Sequence, residues 1–245
     1  MLARSRLPRL FSSNIRLFST TVMSLKAGIG AIDHKDTWSV SKVLNPLPTP
    51  PSSSSSSPIA FLHVIERLKT NAREGWKRHG IVGESIADHM YRMSVITMLC
   101  PDSTIQKDKC IKMAIVHDMA ECLVGDITPL DGVEKSEKHR RELESMEYLT
   151  QTLLAPISKS IAREFMDIWE EYEQGQSPEA IFVKDVDRYE LILQTIEYER
   201  AHNLELEEFF HVAERVQTPF MKDWVAEALD KRAHELKLTV GGAAN

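Results

Sequence analysis

KDKCIKMAIVHDMAECLVGD, residues 107–126, repeats apolar residues at three- and four-residue intervals and interrupts them with His117, Asp118 and Glu121 before stopping at Gly125 and Asp126. That spacing predicts one helix ending near Val124, because apolar positions recurring every three or four residues share a face at 3.6 residues per turn. On such a helix Glu121 lies four residues beyond His117 and three beyond Asp118, one turn along the same side. His117 and Asp118 diverge by about 100° around the axis, an angle that two side chains of their length can close around one ion. Polar groups in an apolar run lose solvation unless something replaces the water. A cation would do so, and so would a hydrogen bond from the histidine to its neighbour. An isolated His-Asp pair does not decide between them.

The helical pattern continues on both sides. IAFLHVIERLKT, SIADHMYRMSVITMLC, EKHRRELESMEYLTQTLL, SIAREFMDIWEEYEQG, PEAIFVKDVDRYELILQTIEYERAH and FMKDWVAEALDKRAHEL each carry the same periodicity, and no alternating run argues for a sheet. The expected architecture is all-α, with seven or eight helices between residues 59 and 237. Ser85 followed by Asp88 matches a capping box, Ser177-Pro178 opens another helix, and Gly125 and Gly175 suit helix ends. His89, flanked by Ile86, Met90 and Met93, is expected to face inward. Asp187 sits between Val183 and Tyr189–Leu191, where an unpaired carboxylate would be costly. Either a cation or a partner such as Arg188 or Lys184 would offset that cost. Two imidazoles and two carboxylates around one ion suit Mn, Co, Fe, Zn or Mg better than soft thiolate chemistry.

The rest of the chain narrows the class. Its 245 residues and formal charge of −6, with acids and bases interspersed, give no basic face for nucleic acid. No apolar run reaches the roughly 18–20 residues that cross a bilayer. Cys100, Cys110 and Cys122 lack metal or redox spacing and read as reduced core thiols. Residues 1–22 carry Arg4, Arg6, Arg9 and Arg16, and no acid precedes Asp33. This composition suits a mitochondrial transit peptide, with a disordered basic tail as the alternative. A second start at Met23 would give a cytosolic form. Residues 23–58, which include NPLPTPPSSSSSSP, read as a linker because prolines and serines offer little to bury. Residues 238–245 read as a flexible tail.

His89, His117-Asp118 and Asp187, in that order on helices, resemble the H…HD…D pattern of the HD-domain metal-dependent phosphohydrolases. The longer motifs AREGWKRHG, ESIADHMYRM, HDMAECLVGDITPLDGVEKSEKHRRE and VKDVDRYELILQTIEYE resemble the 5′-deoxynucleotidase branch of that family, from Phe61 to the last helix. The resemblance implies a single HD-domain helical fold over 59–237, preceded by a disordered extension. It implies hydrolysis of deoxyribonucleoside 5′-monophosphates with one divalent metal ion, and a homodimer. His89, His117, Asp118 and Asp187 would be the metal ligands, with Glu121 and Asp126 as catalytic carboxylates and Arg73 and Trp76 meeting the substrate.

In that implied scheme Glu121 accepts or relays the proton of the attacking water, while Asp126 protonates the departing 5′ oxygen or binds the sugar hydroxyl. The two roles are exchangeable at this stage. Arg73 has the chemistry to bind two phosphate oxygens at once, and Trp76 would crowd a 2′-hydroxyl. TNAREGW departs from the family pattern in having Ala72 and Glu74 around the arginine, so Glu74 is expected to point outward. Lys135 and Lys138 are assigned to a charged helix start. The alternatives are an HD phosphodiesterase, for which His79 and His139 sit in no matching motif, and a regulatory module that binds nucleotide without turnover.

Overall fold

Ser85 accepts the backbone N–H of Asp88, whose carboxylate receives the Ser85 N–H in return at 3.0 Å, so one polar pair starts a helix that the apolar residues then extend. Ser177 does the same for the Ala180 N–H at 3.1 Å, with Pro178 in the first turn. Caps of this kind each contribute about 1 kcal/mol. In this computed structural model residues 38–45 and 56–242 are described, with side chains through Glu235. The α-helices are α1 (Val40–Leu44), α2 (Ile59–Ile65), α3 (Ile86–Met98), α4 (Lys107–Val116), α5 (Glu121–Val124), α6 (Lys135–Glu147), α7 (Lys159–Gln174), α8 (Pro178–His202) and α9 (Pro219–Gly242). Glu66–Lys69, Glu74–His79 and Glu207–Arg215 form tighter 3₁₀ turns, and Tyr148–Leu154 a wider π turn. Among the described residues there is no strand, only an isolated bridge between Ala72 and Ser85.

The all-α expectation holds. Helix α7 ends on Gly175 and α8 on Asn203, both with positive φ. Helix α8 is the spine, packed against α3, α4, α7 and α9, and α3 also lies along α4. Met93, Met113, Val183, Val186 and Ile192 are buried where these helices meet. Their contact places one turn of α3, the end of α4 and the middle of α8 side by side.

Two expectations change. The helix predicted to run to Val124 breaks at Val116. In an unbroken helix the Ala114 carbonyl would accept the Asp118 N–H, but here it accepts His117 Nδ1 at 2.9 Å. Bonds three residues apart then carry the chain through His117–Ala120, from Met119 N–H to Val116 O and from Glu121 N–H to Asp118 O, both 3.0 Å. The expected linker over 23–58 contains α1, with Trp38, Val40 and Leu44 in the main core. Glu144 of α6 accepts the Val40 N–H at 3.0 Å, and Arg140 donates to the Trp38 carbonyl. The transit-like segment 1–22, Met23 and most of the serine tract lie outside the described residues.

All three cysteines are free and buried. Burial pushes the thiols of Cys110 and Cys122 up to about 12. The native protein at pH 8 is therefore expected to titrate no thiol with an aromatic disulfide reagent within minutes, and three after denaturation. No helix among the described residues is long and apolar enough to cross a membrane.

Candidate active site

His89 from α3, His117 from the turn after α4, and Asp187 from α8 each offer a ligand atom, and those atoms lie within 4.8 Å of one another. Asp118 completes the set: its Oδ2 is 3.1 Å from His117 Nε2 and 3.9 Å from His89 Nε2. His89 Nε2 lies 3.3 Å from Asp187 Oδ1 without an aligned hydrogen bond, and neither histidine Nε2 has a bonding partner although both are buried. The other ring nitrogens are spoken for. His117 Nδ1 faces a carbonyl, which can only accept, so that nitrogen carries the proton and Nε2 presents a lone pair. Two buried imidazole nitrogens without donors, beside two carboxylates, fit a borderline-to-hard divalent cation. His89, His117 and Asp187 thus come together, with Asp118 beside both imidazoles.

The charges around them are tightly balanced. Burial pushes the Asp118 and Asp187 carboxyls up, but His117, Arg73 and His89 around the first, and the His89 contact with the second, hold both well below the usual carboxylate range. Burial and the Arg73 charge oppose protonation of His89, yet Glu190 and Asp187 outweigh them and raise it to about 9. Arg73 reaches Asp118 Oδ2 at 3.4 Å and stays charged. Glu121 is 3% exposed, and its Oε2 has no partner. Burial, then the charges of Asp118 and Asp126, push its carboxyl well above the ordinary range. Asp126 Oδ2 accepts the Glu74 N–H at 2.7 Å, which ties the Arg73 turn to the end of α5.

A cavity of about 760 Å³ opens beside this cluster, with Arg73, Asp118, Glu121, Asp126 and Asp187 on its walls. Trp76 also lines it but is only 1% exposed. Its indole lies 4.5 Å from the Phe209 ring and 5.0 Å from Tyr198, and Nε1 donates to Glu84 at 3.1 Å. Gly83 is required behind it, since a Cβ there would fall 2.3 Å from the indole. Trp76 is thus a rigid wall and not a free platform. Glu74 points outward as expected, paired with Lys77.

Several wall residues carry no clear sequence signal. Lys135 and Lys138, assigned above to a helix start, both line the cavity. Lys138 Nζ donates to the Ile127 carbonyl at 3.0 Å and lies 3.4 Å from Glu142. Tyr172 and Lys184 form another wall, with the ammonium 4.0 Å over the ring and the Tyr172 hydroxyl 3.3 Å from Asp187 Oδ2. Glu207–Arg215, read as no element, closes the far side with Phe209, Val212 and Arg215. His79 and His139 pair with Glu208 and Glu173, outside the ligand cluster.

Comparison with known proteins gives the same picture. A family profile described as HD domain matches residues 65–228. The 5′-deoxynucleotidase hdd1 of Schizosaccharomyces pombe is 50% identical over 182 residues, covering 73% of this chain and 91% of that protein. Mouse 5′-deoxynucleotidase HDDC2 is 46% identical over 153 residues, covering 62% and 75%. Among solved structures, the HD domain-containing protein YGK1 superposes with a TM-score of 0.60 at 32% identity, over 81% of this chain and 99% of that one. With the family profile spanning both histidine turns and α8, the chain belongs to the HD-domain family.

Proposed function

We propose that this protein is a metal-dependent 5′-deoxynucleotidase, releasing phosphate from deoxyribonucleoside 5′-monophosphates. The observation that carries the reading is the cluster of His89, His117, Asp118 and Asp187, with two bare imidazole nitrogens, opening on a cavity that also holds Glu121 and Arg73. Relatives named 5′-deoxynucleotidases, 40–50% identical to this chain, support the substrate class. A divalent ion bound there would acidify water and neutralise phosphate charge. Arg73 binds the phosphate oxygens that do not react. Glu121, unpaired at Oε2 on the cavity wall, takes a proton from the attacking water as the new P–O bond forms, and a proton is delivered to the 5′ oxygen as the P–O5′ bond breaks. Asp126, fixed through one oxygen by the Glu74 N–H, keeps its other oxygen for the 5′ oxygen or a sugar hydroxyl. The buried Trp76 wall limits the space beside the sugar, and Lys138 and Lys184 add positive charge facing a dianionic substrate.

The test is phosphate release from dAMP, dGMP, dCMP, TMP and their ribose counterparts, with and without Mn²⁺ or Co²⁺. Deoxyribonucleotides are expected to be preferred by about tenfold or more, the scale of discrimination that pocket shape supplies. Binding without release would leave a nucleotide sensor, and release from phosphodiesters alone would leave a phosphodiesterase.

A homodimer belongs to the same reading. Tyr91, Val95 and Met98 form a stripe along α3 at four- and three-residue spacing, with Tyr91 72% exposed and Leu99 beside it. A second copy would cover that face, and light scattering on the eluting protein is expected to give twice the chain mass. Residues 1–22 are proposed to direct mitochondrial import. Fusions to a fluorescent protein starting at Met1 and at Met23 are expected to separate into mitochondrial and cytosolic pools.

A further inference from the structure

Helix α8 carries four buried carboxylates apart from the half-buried Asp187: Glu179, Asp185, Glu190 and Glu199. Three of them answer backbone N–H groups at the starts of other segments. Glu179 accepts from Gln106 at 3.2 Å, Asp185 from Gln217 and Thr218 at 2.9 and 2.7 Å, and Glu199 from Leu206 at 2.8 Å. These are structural caps. Glu190 is different: it is 1% exposed, and its Oε2 lies 2.6 Å from Nδ1 of His89.

We infer that Glu190, clamped by Arg92, is a positioning residue that sets the tautomer and aim of His89 for the metal. A carboxylate only accepts, so the proton between the pair stays on Nδ1, and Nε2, the nitrogen that faces Asp187 and Asp118, is the one left for a cation. The carboxylate cannot swing away, because Arg92 Nε and Nη2 hold its other oxygen at 2.8 and 2.7 Å. Arg92 is itself tied to Gln194 at 2.8 Å and Glu197 at 2.6 Å, both on α8. His117 is oriented by a backbone carbonyl instead. Of the two imidazoles, only His89 depends on a side chain for its tautomer.

The inference rests on the metal-site reading, and the experiment separates the two. Protein stripped with chelator is titrated with Co²⁺ by calorimetry, as wild type, Glu190→Ala, Glu190→Gln and the control Glu179→Gln. Glu190→Ala is expected to bind Co²⁺ about 10–100-fold more weakly, the usual effect of losing a group that orients a ligand, and Glu190→Gln to fall between it and wild type. Glu179→Gln is expected to lower thermal stability without moving Co²⁺ affinity. With Zn²⁺ bound, the ¹⁵N imidazole spectrum of wild type is expected to show His89 protonated on Nδ1 and metal-bound through Nε2, and the Glu190 variants a mixture. If Glu190→Ala does not fold, Glu190→Gln carries the measurement. Wild-type binding with both Glu190 variants within twofold overturns the inference. Absence of Co²⁺ binding by wild type overturns the metal-site reading and this inference with it.

Discussion

Replacing Glu121 with alanine is expected to lower turnover of deoxyribonucleoside monophosphates by about three orders of magnitude, within the range that one positioned acid–base group supplies, while the protein still binds its metal. Glu121 follows the His117-Asp118 turn by a single three-residue bond and stands on the cavity wall with an unpartnered Oε2. Its environment supplies the chemistry: burial, Asp118 and Asp126 all favour the protonated form. A divalent ion beside Asp118 would offset those negative charges and favour the ionised form, which can take a proton. Glu121→Gln keeps the shape and removes that capacity, so it is expected to be as inactive as Glu121→Ala. Steady-state turnover with metal content by mass spectrometry checks both. Wild-type turnover in either variant would remove Glu121 from the chemistry.

The second large effect is expected at Asp187. Its Oδ1 faces His89 at 3.3 Å while the Tyr172 hydroxyl donates to Oδ2 at 3.3 Å, so one oxygen is held and the other is presented to the cluster. It is also the group that α8 would bring to an ion, since both imidazoles and Asp118 come from α3 and the turn after α4. Asp187→Ala is expected to lose bound metal on gel filtration and to lose turnover with it. Thermal melts give an independent reading. A ligand at a hundred times its Kd stabilises the folded state by about 2.7 kcal/mol, so Mn²⁺ should raise the Tm of stripped wild type by several degrees and leave Asp187→Ala unmoved. An equal shift in both would take Asp187 off the ligand list.

How far the sequence reaches can be judged at particular residues. Helices α3 and α8 are legible because periodicity and caps agree there: the Ser85–Asp88 box and Ser177-Pro178 do what their spacing predicts. His89 is legible from apolar neighbours on both sides, and it is fully buried. The break at Val116 is not legible, because it turns on His117 Nδ1 competing for one backbone carbonyl, and helical spacing does not record that contest. Val40 and Leu44 are hidden for another reason: the helix they belong to is five residues long, too short to show a period, and Trp38 stands just before its cap. Lys138 reads as surface charge along its own helix and becomes a cavity residue only when α6 is set beside the turn at Ile127. Glu190 looks like any other acid in α8 until α3 places His89 against it. In each case the missing information is which element faces which, a property of packing between segments and not of any one of them.

The proposed phosphohydrolase depends on an ion held by His89, His117, Asp118 and Asp187. The most direct measurement is phosphate release from a deoxyribonucleoside 5′-monophosphate by chelator-stripped protein, before and after adding Mn²⁺ or Co²⁺. Stripped protein is expected to release no phosphate above background and to recover turnover on adding metal. Full turnover by protein shown to hold no metal would contradict it.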